Sequence, residues 1–342
     1  MHTLHFFAGG NTCRGFHSCF DSILPPDSRK RMYFIKGGPG VGKSTLMRQF
    51  AAAAQAKGQE VCYYHCSSDP DSLDGISLPR LGIGMMDGTA PHVYDPSVPG
   101  ARDTLISLGD LLDEDALSAH TGEIRQIQAD ISARFARCYR YLAAAEEVFA
   151  ASAIPEDEDK SARVADEWVK SLPLRGGRGQ VRQLFASAFT PKGRIDALDT
   201  GCFERRITLD CPFGARPAAL MRTLSRRAAA RGLDVVELLD PLSPDCVAHV
   251  LIPAHGVAFL SGQRTAHSAG EWLDAQEVFD LSHVNEKEDG FDRNAFELLT
   301  QRAVEQLTAA KAMHDDLEAI YVKHMDFLRW QDVLDHLVAA HL

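Results

Sequence analysis

The chain of 342 residues holds 36 Lys and Arg against 47 Asp and Glu, a formal net charge of -11, with 45% hydrophobic and 24% charged residues. That length can bury a full core and leaves room for two domains, while the acidic balance excludes a chain whose main task is to coat nucleic acid, which needs a basic surface. The eight cysteines are scattered without a C-x-x-C pair, a spacing that points neither to zinc nor to a disulfide framework, and no run of about 18 apolar residues offers a membrane span. A cytoplasmic location is expected.

From Tyr33 the chain reads YFIKGGPGVGKST. The apolar run Met32 to Ile35 predicts a buried parallel strand. Ser44 to Ala56, rich in Ala, Leu, Met, Gln and Arg, predicts a helix that Gly58 ends. Between them Gly37, Gly38, Pro39, Gly40, Val41, Gly42, Lys43, Ser44 and Thr45 form a G-x-x-x-x-G-K-S loop. In such a loop glycines admit backbone conformations that aim successive N–H groups at an anion, and the following helix adds its positive end. Lys43 is expected on the β and γ phosphates of ATP, its charge unpaired until phosphate arrives, and the Ser44 hydroxyl on Mg²⁺.

In HCSSDPDSLDG, from His65, Asp69 and Asp74 are candidates to orient an attacking water or a phosphoryl acceptor, whereas Asp71 beside Pro70 reads as a turn residue. LGIGMMDG ends an apolar strand at Asp87, the second carboxylate a phosphate-loop enzyme uses to hold Mg²⁺. The alternative for Asp87 is an Asp opening a turn before Gly88. Thr89 and His92 follow it and are candidates to sense the γ-phosphate, against the simpler reading of a polar loop with a proline bend.

Beyond Pro99 the pattern turns helical, with Ile124, Ile127, Ile131, Phe135, Cys138 and Leu142 on one stripe. PEDEDK, from Pro155, and LRGGRGQ, from Leu174, read as linker on either side of a short helix around Trp168. A second long helical stretch runs from Phe296 to Leu337.

The second half repeats the first. YFIKGGPGVGKSTLMRQF aligns with ITLDCPFGARPAALMRTL, from Ile207, at an offset of 174 residues that holds without a gap to Gly88 and Gly262. FFAGGNTCRGFHSCFDSI, from Phe6, aligns with LFASAFTPKGRIDALDTG, from Leu184, at a slightly larger offset. Within this alignment Gly42, Lys43 and Ser44 become Arg216, Pro217 and Ala218, Asp87 becomes Ser261, and Asp69 and Asp74 become Ser243 and Ala248. Asp71 survives as Asp245. The phosphate cation, the metal hydroxyl and the metal carboxylate thus vanish together, and Pro217 at the first helical position would keep the helix. The second half is expected to be a pseudo-site.

The segments FFAGGNT, KGGPGVGKST, HCSSDPDSLDG and DGTAPHVYDP resemble those of a poorly characterised bacterial family of tandem P-loop ATPases, over nearly the whole chain. Members often carry two intact loops, from which this chain departs. The resemblance implies a P-loop NTPase fold and ATP binding, without naming a substrate. The expectation is an α/β protein with two P-loop-like three-layer domains, parallel sheets and long helical extensions. Residues 1–154 would form the active domain, 155–180 a linker and 181–342 the degenerate domain. Its function would be Mg²⁺-dependent ATP hydrolysis at one site, with a small-molecule or nucleotide kinase and a non-catalytic ATP-gated interaction protein as alternatives. An unknown small molecule or protein would be the partner, with neither nucleic acid nor membrane.

Overall fold

The computed structural model describes residues 3–89, 94–264, 270–284 and 286–342. The first half contains β1 (Leu4–Phe7), β2 (Gly9–Thr12), β3 (Gly15–Ser18), β4 (Arg31–Lys36), α1 (Lys43–Ala56), β5 (Cys62–His65), β6 (Leu73–Leu78), β7 (Ile83–Asp87) and β8 (Asp103–Ser107). It continues into α2 (Glu114–Ser118), α3 (Thr121–Ala151) and α4 (Glu158–Lys170). The second half repeats the series as β9 (Val181–Phe185), β10 (Ser187–Thr190), β11 (Gly193–Asp196), β12 (Arg205–Asp210), α5 (Ala218–Ala230), β13 (Val235–Leu239), β14 (Val247–Ile252), β15 (Val257–Gly262) and β16 (Glu271–Leu273). It ends in α6 (Glu286–Val322) and α7 (Phe327–His341). Among the described residues no helix is long and apolar enough to cross a membrane.

The protein is α/β, and both halves enter one 12-stranded sheet of order β16-β12-β15-β14-β13-β9-β1-β5-β6-β7-β4-β8. Read outward from the centre, the two halves carry their strands in the same order. The central neighbours β1 and β9 are antiparallel, and Phe7 pairs with Phe185, its own counterpart in the repeat, so the halves meet about a local two-fold axis. Phe6, Phe7, Tyr64, Leu184 and Phe185 share one apolar core across this seam, so burying it favours the halves being joined.

The sheet is mixed where parallel sheets were expected. β5, β6 and β7 form an antiparallel meander, as do β13, β14 and β15, while β4 lies parallel to β7 and β8. The cause is connection length. Residues 66–72 and 79–82, which join β5 to β6 and β6 to β7, are too short for the dozen or more residues a parallel crossover needs.

Two exchanges tie the halves together. Helices α3 and α6 pack antiparallel, Ile124 lying near Leu317 and Ile320, Cys138 and Leu142 near Ala303 and Leu307, and Phe149 against Phe296. Each then hands its terminal helix to the other half: α4 packs on α5, and α7 packs on α1. The segment 155–180 therefore carries a helix whose Trp168 stacks on Phe259 of β15. The hairpins cross over as well. Arg14, at the turn of the first, pairs with Asp245, and Lys192, at the turn of the second, pairs with Asp71. Arg48 and Arg222 donate to the carbonyls of those same aspartates, which gives a shared structural role to the arginine and the aspartate that recur in both halves.

Candidate functional site

The glycine loop joins the end of β4 to the start of α1. Gly40 and Gly42 have φ of 70° and 83°, a left-handed conformation that disfavours any residue with a Cβ. Close packing adds a second demand. A Cβ on Gly40 would come within 2.8 Å of Val322, and one on Gly42 within 2.8 Å of Trp330. Both neighbours belong to the second half, so the loop lies beneath helices of the other repeat.

Lys43 is folded back over the loop. Its Nζ donates to the carbonyls of Gly37 and Gly38 at 2.9 and 2.8 Å and stands 3.6 Å from Asp87 Oδ2. The ammonium is thus already paired, contrary to the free charge expected from sequence, because neighbouring carbonyls and a carboxylate compensate its partial burial. The Ser44 hydroxyl accepts from the Leu73 amide at 2.9 Å, which fixes the start of β6 beside the start of α1. Asp87 ends β7, adjacent to β4. Its Oδ1 accepts from Thr89 N at 2.8 Å, and the Thr89 hydroxyl donates to Gly37 O at 3.1 Å.

A cleft of about 450 Å³ opens over these groups, lined by Pro39 to Thr45, by Asp69, Asp74 and Asp87, and by Ile131 of α3 and Lys311, His314 and Glu318 of α6. Most of the proposed site residues meet there; Gly37 and Gly38 contribute through the carbonyls that hold Lys43. Val41 lines the cleft while its side chain is buried in the core beneath. Asp69 is committed locally, accepting from the Ser72 hydroxyl at 2.9 Å and pairing with Lys311 at 3.4 Å. Asp74 is buried, and burial first, then the charge of Asp87, pushes its carboxyl up to about 7. His92 lies outside the described residues.

The α6 residues escaped the sequence reading. Lys311, His314 and Glu318 are more than 200 positions from the loop, and their spacing reads equally well as a solvated helix face. Burial lowers the His314 pKa below its ordinary value, opposed by the charge of Glu318. His314, Asp315 and Glu318 can bring one ligand atom each within 4.8 Å of one another.

The equivalent position in the second half is filled by the protein itself. Gly214 has φ of 88°, and a Cβ there would fall 1.8 Å from the Ser152 carbonyl, so the connection between α3 and α4 lies directly on the loop. Ile154 N donates to Gly214 O at 3.0 Å. Glu156 then places its carboxylate on the first turn of α5, accepting from Ala219 N at 2.8 Å and Leu220 N at 2.6 Å, with the buried Ser161 hydroxyl donating to it at 2.7 Å. A carboxylate there satisfies orphan amides and the helix dipole, as a bound anion would. Pro217 caps α5 one residue outside it, rather than opening it as expected, and offers no side-chain acceptor of its own. Arg216, in place of Gly42, turns away to donate to both oxygens of Glu146 at 2.7 and 2.5 Å, over the Phe149 ring. Ser261, in place of Asp87, donates its amide to His249 Nδ1 at 3.0 Å.

A family model described as Nephrocystin 3, N-terminal matches residues 11–77, a stretch that holds the glycine loop, α1 and the loop before β6. No curated protein and no solved structure matches the chain.

Proposed function

We propose that the protein is a tandem P-loop protein that binds ATP with Mg²⁺ at the first repeat alone and hydrolyses it there. The observation that carries this reading is the convergence of Lys43, Ser44 and Asp87 on a left-handed glycine loop, at the ends of neighbouring parallel strands and below an open cleft. In this reading the loop amides and the start of α1 receive the phosphates. Lys43 exchanges two carbonyls and a carboxylate for β and γ oxygens, so that its compensation passes from protein to nucleotide. Leaving Lys43 releases Asp87, which with Ser44 is free to hold the metal. Asp69 and Asp74 border the γ-phosphate end. The second repeat carries no nucleotide, because Glu156 already occupies the helix amides.

Titration calorimetry with Mg²⁺ tests the assignment. The parent should bind one ATP per chain, and Lys43→Ala should weaken it by about a hundredfold or more, since it removes a charge-assisted contact in a partly buried site. Equal affinity in parent and variant would end the P-loop reading.

A further inference from the structure

Helix α6 belongs to the second repeat, yet its last three turns form a wall of the first repeat's cleft. Lys311, His314 and Glu318 follow one another at helical spacing along that wall, ending where Val322 meets Gly40. Lys311 sits at the end of the cleft bordered by Asp69. Its ammonium is held between Asp69 Oδ2 at 3.4 Å and Asp315.

The position of that end follows from the loop geometry. The Ser44 hydroxyl is hydrogen-bonded to the first residue of β6, and Asp69 accepts from Ser72 immediately before it. Asp69 therefore stands on the Ser44 and Asp87 side, where the terminal phosphate of a nucleotide in this loop would lie. Asp69 and Asp87 place negative charge on that side, and Lys43 is shared with the β-phosphate. A tetra-anionic phosphate chain adds charge there that one Mg²⁺ and the shared Lys43 only partly offset. Of the other cations lining the cleft, Arg48 donates to the Asp71 carbonyl, while Lys311, 3.4 Å from Asp69 Oδ2, faces that end.

Resting on the nucleotide reading above, we propose that Lys311 is a γ-phosphate contact supplied by the second repeat. Asp69 and Asp315 hold it in this structure, and ATP draws the ammonium onto the γ oxygens. It makes and breaks no covalent bond. Its charge is placed where negative charge accumulates as the terminal phosphoryl group leaves, and the contact joins that group to the α3 and α6 pair that binds the halves together.

The test compares ADP with an ATP analogue carrying a β,γ-imido bridge, both with Mg²⁺, on the full chain. Lys311→Met should weaken the imido analogue by about tenfold or more while ADP affinity stays within about twofold, because the lost contact is made only with the third phosphate. Single-turnover hydrolysis should fall with it. Lys311→Arg, which keeps charge and reach, should restore much of the preference and controls for folding. Equal losses for both ligands would make Lys311 a general structural element, and unchanged affinities would remove it from the site; either overturns the proposal while leaving the P-loop reading intact. A parent that binds neither ligand overturns both.

Discussion

Removing the Glu156 carboxylate should cost stability in an amount the geometry sets. Glu156→Ala strips two short hydrogen bonds from the first turn of α5 and leaves the buried Ser161 hydroxyl without its acceptor. Loss of an N-terminal cap costs about 0.5–2 kcal/mol, and loss of a negative charge at a helix start roughly 0.3–1 kcal/mol more, so about 1–3 kcal/mol is expected. A chain of 342 residues gains roughly 0.7 kcal/mol/K of unfolding entropy, which converts this to a fall of about 1–4 °C in Tm. Glu156→Gln, which keeps one acceptor oxygen, should fall by about half as much. Scanning fluorimetry in chloride and in phosphate buffer separates a cap from mere packing. Phosphate should raise the Tm of Glu156→Ala by more than it raises that of the parent, because the variant adds the α5 amides to those already open at the start of α1. An unchanged Tm for the alanine variant, or equal losses for both variants with no response to phosphate beyond that of the parent, would refute the view that Glu156 stands in for a bound anion.

Two more outcomes follow from single side chains. Asp87→Asn keeps an acceptor for the Thr89 amide, so Mg²⁺-dependent turnover should fall by more than about tenfold while Mg²⁺-free ATP affinity changes by less than about threefold; equal falls would make Asp87 structural. His249 is held neutral to about pH 4, first by burial and then by the Arg194 charge. With a folded pKa below the unfolded one, its contribution is complete above about 6.5 and is lost as pH falls toward 4, at most about 3 kcal/mol. His249→Asn should flatten the urea midpoint across that window, and parallel profiles for parent and variant would show that acid destabilisation arises elsewhere.

The parts legible in the sequence are those whose causes are local. A strand, a glycine loop and a helix at one offset in both halves come from neighbouring residues, and their boundaries fall within about two positions of those expected. Asp71 was separable from Asp69 and Asp74 because it recurs as Asp245, and the cross-repeat ion pairs with Lys192 and Arg14 give that recurrence a physical cause. What could not be read depends on distant chain meeting by topology. PEDEDK has the composition of a solvated linker, yet its Glu156 is directed at amides more than 60 residues away, and periodicity says only that one face is polar, not which anion or amide it meets. The same holds for Lys311 over the glycine loop.

The two connections that follow the long helices explain why one loop is open and the other shut. Asp157 caps α4 and Asp326 caps α7, each accepting from the first turn of its helix. One residue earlier, Glu156 bridges Phe279 and Met325 bridges Leu112, both antiparallel and each just past the edge strand of the half it joins. Glu156 and Met325 therefore hold equivalent places, and only one carries a charge. Over the second repeat the carboxylate reaches the helix amides and completes their hydrogen bonding within the chain. Over the first, Met325 packs against the apolar core that contains Val41, Leu46 and Trp330 instead, and α1 begins after Gly42 without any side-chain cap. An uncapped helix start beside a lysine, a serine and a carboxylate leaves donors for an anion from outside. A single side-chain difference at matched positions thus goes with the loss of Lys and Ser on one side and their presence on the other, and the fold is spared because each half retains the helix its partner lends it.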